Sequence, residues 1–105
     1  MNVEELQSRA EATESLLKAV ASKPRLIILC ELLKGERSVT SLQKAIGLSM
    51  SALSQHLARL RADDLVATRR EAQTIYYSLA GVRATRLIGL LYELYCSPAG
   101  ADQGT

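Results

Sequence analysis

The feature that most constrains the fold of this chain is a pair of short helical segments separated by Gly47. The first, SVTSLQKAIG, carries Thr40 and Gln43 at the spacing of a capping box, and Gly47 is placed to end it. Ser49 can cap the second segment, in which leucine recurs at i, i+4 and i+7. A short helix, a turn that contains glycine and a second helix form the helix-turn-helix plan.

The segments around this motif predict two helices before it, and a hairpin and a helix after it. Residues 3–21 have the apolar spacing of one helix, and SKPRLIILCELLKG places Pro24 in a first helical turn. The run LIILCELL is apolar nearly all round, which indicates a helix buried on several sides. After Asp64, LVATRR and TIYYSL are β-branched and aromatic, which predicts two strands with a tight connection. A last helix begins at Gly81, and its apolar surface is wider than one small domain can cover.

The order helix, helix, helix-turn-helix, β-hairpin, helix predicts a mainly α winged helix-turn-helix. A chain of 105 residues has the length of one domain, which we expect to span residues 1–96. Residues 97–105 are small and polar, so we expect a disordered tail there. The chain has no apolar run of membrane-spanning length and no leader pattern, so we expect a cytoplasmic protein without a membrane partner.

The polar face of the second helix indicates what the motif binds. In this plan the second helix lies in the major groove of DNA, and a basic hairpin can reach flanking phosphates. Gln can bond adenine through two atoms, and Ser and His can contact base or phosphate. The net charge of +2 is concentrated in the middle of the chain, while the first helix is acidic. The predicted DNA contacts are Ser49, Ser51, Ser54, Gln55, His56, Arg59, Arg69 and Arg70.

Each of these side chains, taken alone, is equally an ordinary polar residue of a helix or a strand. The combination of a short helix, a capped second helix and a basic hairpin favours nucleic acid. His56 is a weak candidate for a metal ligand, because it is the only histidine of the chain.

Three segments resemble repressors of the ArsR/SmtB family, and the resemblance covers residues 5–96. They are LSMSALSQHLARLR in the second helix of the motif, LVATRREAQTIYYSL across the hairpin, and KPRLIILCELL in the buried helix. The resemblance implies a homodimer whose first and last helices form the interface, which suits the wide apolar surface of the last helix. It also implies a palindromic double-stranded operator that is released when an inducer binds.

The family's metal-responsive members place cysteine pairs in the first helix of the motif, or Asp and His ligands along the last helix. Here those places read SVTSLQKA and VRATRLIGLLYELY, which contain neither ligand set. We therefore predict neither a metal site nor a cofactor.

The two cysteines of the chain, Cys30 and Cys96, lie far apart in the sequence and outside any CxxC motif. The pattern ILCELL, LYELYC and the hairpin segment REAQT resembles the sulfide- and persulfide-responsive subgroup of the family. That resemblance implies that Cys30 and Cys96 form a dithiol sensor, which a persulfide or polysulfide inducer joins by a disulfide or polysulfide link.

Two alternatives remain at this point. Cys30 has the properties of a small core side chain, as buried free cysteine often does. The chain would then be a regulator with inert cysteines that answers to another redox signal, to haem, to metal or to a partner. An enzyme is disfavoured, because the sequence has no CxxC, no base positioned beside either cysteine and no cofactor loop.

Overall fold

The computed structural model describes residues 2–96, and its elements follow the order of a winged helix-turn-helix. The elements are α1 (Val3–Ser8), α2 (Ala10–Val20), α3 (Lys23–Leu33), β1 (Arg37–Ser38), α4 (Val39–Ile46), α5 (Met50–Ala62), β2 (Val66–Glu71), β3 (Thr74–Leu79) and α6 (Gly81–Tyr95). The predicted mainly helical fold with a hairpin wing is confirmed. The prediction of a disordered tail falls on residues 97–105, outside the described part of the chain.

The single helix predicted over residues 3–21 is two helices, α1 and α2, that meet at Arg9. Arg9 has φ −114° and ψ 11°, which is not a helical conformation. Just before it, the Ser8 hydroxyl donates to the Glu5 carbonyl at 2.7 Å, and such side-chain bonds compete with the helical backbone ladder. The apolar residues of this region are therefore divided between two helices, each with its own axis.

Helix α3 forms the centre of the core, as its uniformly apolar sequence predicts. Ile28 and Leu29 have no exposed surface, and α3 packs against α2, α4, α5, α6 and β3. Its start is fixed by the Ser22 hydroxyl, which accepts from the Arg25 N–H, and by Pro24 in the first turn. Cys30 lies on this helix, half-buried at the edge of the core.

Helices α4 and α5 form the helix-turn-helix around Gly47, which has φ 83° in the left-handed region that glycine adopts without strain. The predicted capping box at Thr40 and Gln43 is wrong. Ser38 caps α4, because its extended backbone lets its hydroxyl accept the N–H three residues on at 3.1 Å. The predicted cap of α5 is confirmed: the Ser49 hydroxyl accepts the N–H three residues further on, at 3.1 Å.

The sheet has three antiparallel strands in the order β1–β3–β2. Strands β2 and β3 form the wing and are joined by a turn of two residues, in which Ala72 has φ 56°. The short strand β1, which the sequence did not predict, pairs with β3 through Arg37 opposite Tyr77 and Ser38 opposite Tyr76. The wing is thereby attached to the start of α4.

Helix α6 packs against α3 through one side, on which Ala84 and Ile88 are buried. The rest of its surface is open: Val82, on another side, is 70% exposed, and Tyr95, at the C-terminal end, is 73% exposed. Within residues 2–96, no helix has the length and apolar character needed to cross a membrane.

Candidate nucleic-acid interface and thiol pair

The predicted DNA-contacting side chains of α5 lie mostly on one exposed face. Ser51, Ser54 and Gln55 are three or four residues apart, which places them on one side of the helix, and all are exposed. The leucines that anchor the helix lie on the other side and are buried. Ser49 is exposed beside this face, although its hydroxyl also accepts the cap bond. The sequence prediction of an open polar face is confirmed.

His56 and Arg59 differ from these residues in their surroundings. His56 is three residues after Leu53 and four before Leu60, so it lies beside the leucine face and is half-buried. Arg59 lies one turn after Gln55 on the exposed face, and its Nε donates to the Asp63 carboxylate at 2.9 Å. The charge of Arg59, near the C-terminal end of the polar face of α5, is therefore partly neutralised.

A cleft of about 690 Å³ separates α5 from the wing. The helix contributes Ser54, Ala58 and Arg61 to its walls, and the wing contributes Ile75 and Tyr77. Arg61 was absent from the predicted contacts, although its position seven residues after Ser54 places it on the same side of α5. Its side chain makes no hydrogen bond or ion pair within residues 2–96, so its charge is available to a ligand in the cleft.

The two wing arginines that were predicted to contact DNA, Arg69 and Arg70, have different surroundings in the structure. Arg69 donates to both carboxylate oxygens of Glu36 at distances between 2.8 and 3.1 Å, and to Glu71 at 2.9 Å. Its Cζ lies 4.6 Å from the centre of the Tyr76 ring. Arg70 is exposed and makes no ion pair or side-chain hydrogen bond in the described part of the chain.

The electrostatics of this cluster follow from the close charges. Hydrogen bonds from Arg69, together with its positive charge, hold the pKa of the Glu36 carboxyl below its ordinary value. The same bonds from Glu36, and those from Glu71, raise the pKa of Arg69, so this guanidinium stays charged throughout the accessible pH range. Sequence reasoning missed Glu36, because it lies 33 positions before Arg69.

The two cysteines are brought together by the packing of α3 against α6. Cys30 is half-buried, and Cys96 is exposed at the C-terminal cap of α6. The pKa of the Cys30 thiol is raised, first by burial and then by the negative charges of Cys96 and Glu31. Both thiols are free.

Within the described residues, no group of three or more His, Cys, Asp or Glu side chains is arranged to hold a metal ion. Glu31, which follows Cys30 in α3, is already bonded to Lys34 and Arg37.

A capped helix with an open polar face beside a basic hairpin defines the class of winged helix-turn-helix DNA-binding proteins. Within that class, residues 22–68 match the family described as bacterial regulatory protein, arsR family. The chain is 50% identical over 96 residues to the transcriptional activator HlyU of Vibrio cholerae, a match that covers 91% of this chain and 89% of HlyU. The chain belongs to the arsR family, whose members are DNA-binding transcriptional regulators and not enzymes.

Three solved structures resemble the fold closely. Reduced HlyU from Vibrio cholerae matches with a TM-score of 0.86 and 49% identity, covering 90% of this chain and 99% of that chain. The transcriptional repressor BigR from Xylella fastidiosa gives a TM-score of 0.84 and 37% identity, covering 92% and 99%. A homodimeric winged helix-turn-helix DNA-binding domain, Mb0332 from Mycobacterium bovis, gives 0.75 and 31%, covering 88% and 90%.

Proposed function

We propose that this chain is a homodimeric transcriptional repressor that releases its operator when reactive sulfur species join Cys30 to Cys96. Its membership of a family of DNA-binding regulators supports the DNA-binding part of the proposal. Two relatives differ in the direction of regulation, since BigR is a repressor and HlyU an activator, and the repression proposed here is that of BigR. The protein acts in the cytoplasm, where its palindromic operator DNA lies.

The apolar surface of the outer helices supports a dimer through the first and last helices. A groove of about 420 Å³ runs along α1 and α2 and is lined by apolar side chains that include Leu6 and Leu17, both more than half exposed. On α6, Val82 and Leu94 are also more than half exposed. Such a broad apolar surface is costly to leave in water and marks a protein interface. The similar Mb0332 domain is homodimeric.

The observation that supports the sensor proposal is the packing of α3, which carries Cys30, against α6, which ends at Cys96. The raised pKa of the Cys30 thiol, caused first by burial and then by Cys96, is consistent with that packing. The close similarity to an HlyU structure described as reduced adds a relative for which the redox state is specified.

The chemistry of the link consumes only persulfide. Each cysteine thiolate attacks the outer sulfur of a persulfide, takes up that sulfur and releases the carrier thiol. One of the two cysteine persulfides then attacks the Sγ atom of the other and expels hydrosulfide, leaving one extra sulfur between the Sγ atoms. The cysteine pair loses two electrons, which leave with the expelled sulfide. A single persulfide gives a plain disulfide by the same steps, and a third adds a second bridging sulfur.

The two cysteines have unequal roles in this sequence. Cys96 is exposed and so is accessible to a persulfide in solution, whereas Cys30 is half-buried and its raised pKa lowers the fraction of thiolate there. The first attack therefore falls to Cys96, and Cys30 closes the link.

The surroundings of Cys30 connect the link to the DNA-binding elements. Helix α3 packs against both α4 and α5. Glu31, next to Cys30, is bonded to Arg37, whose guanidinium also donates to the Ser41 hydroxyl of α4 at 2.8 and 3.0 Å. A link that shifts α3 against α6 therefore acts directly on the contacts that orient the helix-turn-helix.

The test combines intact mass with DNA binding. The reduced protein is used to enrich its target duplex from a random pool, and is then treated with glutathione persulfide, glutathione disulfide or hydrogen peroxide. Persulfide should add one or two sulfur atoms, remove two hydrogens, leave the oligomer size unchanged and weaken binding on the order of ten- to a hundredfold.

Cys30→Ser and Cys96→Ser are matched controls that should bind DNA when reduced and stay bound after persulfide. Release of DNA from Cys96→Ser at the wild-type persulfide dose would instead favour a regulator with inert cysteines. The half-burial of Cys30 beside the core is the observation that supports this second function. Equal release by peroxide or by zinc would remove the proposed selectivity for sulfur.

A further inference from the structure

Arg69 and Arg70 follow each other in β2 and therefore point to opposite faces of the wing. Arg70 is paired with Ile75 across the hairpin, and Arg69 with Tyr76. Ile75 and Tyr77 line the cleft against α5, so the face that carries Arg70 is the face turned toward α5. Arg69 lies on the outer face, turned away from the cleft.

The contacts of Arg69 engage all three nitrogens of its guanidinium group. Nε and Nη2 donate to Glu36, and Nη1 donates to Glu71. One face of the group lies over the Tyr76 ring. A DNA phosphate that approached Arg69 would meet two carboxylates, and their negative charges would repel it. Arg70 and Arg61 have no such partners within residues 2–96.

The Arg69–Glu36 pair also has a distinct place in the sheet. Because β3 lies between β1 and β2, the pair crosses over β3 above Tyr76 and joins β2 to the residue that precedes β1. Strand β1 itself holds β3 through only two residue pairs. Exposed ion pairs add little to the stability of a domain, but a guanidinium group that bonds both oxygens of a carboxylate fixes the relative orientation of the two groups well. The pair therefore sets the angle at which the wing stands over α5.

We propose that Arg69 is a positioning residue that holds the wing in place through Glu36, while Arg70 and Arg61 bind DNA phosphates from the two walls of the cleft. This assignment rests on the proposed DNA binding by α5 and the wing, and it assigns different roles to two residues that the sequence treated alike. The ligand chemistry is the phosphate backbone of duplex DNA.

The experiment measures DNA affinity against salt concentration with the enriched duplex and with a random-sequence duplex. Three variants of the full chain are compared with the wild type: Arg70→Gln, Arg69→Lys, and the double variant Arg69→Gln with Glu36→Gln. The double variant keeps the net charge of the wild type while removing the pair, so it separates position from charge. Arg69→Lys keeps the charge but cannot make the two-oxygen pair.

Loss of a phosphate contact lowers the slope of log affinity against log salt by about one per protomer, and we expect this for Arg70→Gln on both duplexes. The double variant should keep the wild-type slope and bind the enriched duplex roughly tenfold more weakly, as variants that act through another residue do. Arg69→Lys should lose affinity for the enriched duplex to a similar extent as the double variant. Faster amide exchange in β2 and β3, with an unchanged midpoint of thermal unfolding, should accompany both changes.

Two results would overturn the proposal. The first has two parts: the double variant loses as much of the salt slope of log affinity as Arg70→Gln does, and Arg69→Lys binds DNA with wild-type affinity. Arg69 would then be a phosphate contact. The other is wild-type affinity and exchange in the double variant, because the pair would then position nothing. If the wild type showed no salt-dependent DNA binding, the proposed function would be contradicted as well. Either of the first two results would contradict only the role of Arg69 and would be compatible with the proposed function.

Discussion

The recognition helix α5 and the wing form the two walls of one cleft, but they are held in place by different forces. In α5, Leu53 and Leu60 have no exposed surface, and Ser49 caps the first turn. In the wing, Ile75 is 39% exposed, and the side-chain contacts that attach the outer face are the ion pairs of Arg69. Apolar packing holds the helix, whereas the side-chain contacts on the outer face of the wing are ion pairs.

This difference has consequences for how each wall responds to conditions. Buried leucine packing does not depend on salt, whereas interactions between exposed charges are screened over about 10 Å at 0.1 M salt. The helix therefore presents its polar face at a fixed position. The side-chain contacts on the outer face of the wing are exposed ion pairs, which salt screens.

The ends of the two walls show the same contrast in their backbones. At the end of α5, Asp64 has φ 59°, and the Leu65 N–H donates to the Leu60 carbonyl at 2.9 Å. This arrangement is a Schellman motif closed by contact between buried leucines. At the tip of the wing, Ala72 has φ 56°, and no buried residue packs around it. The strain in α5 is offset by packing, and the strain in the wing is not.

The largest expected effect comes from breaking the packing of the helix. Leu53→Ala should lower the free energy of unfolding by about 2–5 kcal/mol, because it leaves a cavity in the closed core. Ile75→Ala, the matched change in the wing, should cost well under half as much, since that side chain is already partly in water. Chemical denaturation of both variants checks this. Equal losses would mean that the wing is as tightly packed as the helix.

The sequence predicted α5 in detail because local patterns determine it. The repeat of leucines located the buried face, and Ser49 located the start. The placement of His56 among groove-facing residues did not use that same repeat, which puts it three residues after Leu53 and beside the buried side. The start of α4 was misplaced for a different reason: Ser38 takes its extended conformation within β1, a strand of two residues with too little pattern to detect.

The wing and the thiol pair could be predicted only in part, because long-range contacts decide them. The β-branched and aromatic residues of β2 and β3 predicted the strands, but the partner of Arg69 is Glu36, which no local pattern connects to it. The proximity of Cys30 and Cys96 depends on how α6 returns across α3, so the sequence supported it only by family resemblance. Contacts within one element were predictable, and contacts between distant elements were not.

A smaller effect is expected from relieving the backbone at the wing tip. Ala72→Gly should raise the free energy of unfolding by about 0.5–1 kcal/mol, because glycine adopts a positive φ without the clash that Cβ causes. The control is Ala67→Gly in β2, which lies in regular strand and should lose stability by a similar amount. Thermal unfolding of the two variants would contradict the strain argument if both shifted in the same direction.

The smallest and most local effect concerns the charge that holds the wing. Since the folded-state pKa of Glu36 is lowered by Arg69, the Glu36–Arg69 pair contributes fully above the ordinary pKa of a glutamate. Its contribution is lost as the pH falls through the lowered folded-state value. Titration of the Glu36 carboxyl carbon by NMR should therefore show a midpoint below that of a free glutamate, and Arg69→Gln should move the midpoint upward. Molar salt should move it in the same direction by screening. Over the same pH range the amide resonances of the first two turns of α5, residues 50–56, should stay fixed while those of Arg69 and Tyr76 shift, because that part of the helix is held without these charges. A Glu36 midpoint that ignores both Arg69→Gln and salt would show that the wing is held by its backbone ladder alone, and the contrast between the two walls would then disappear.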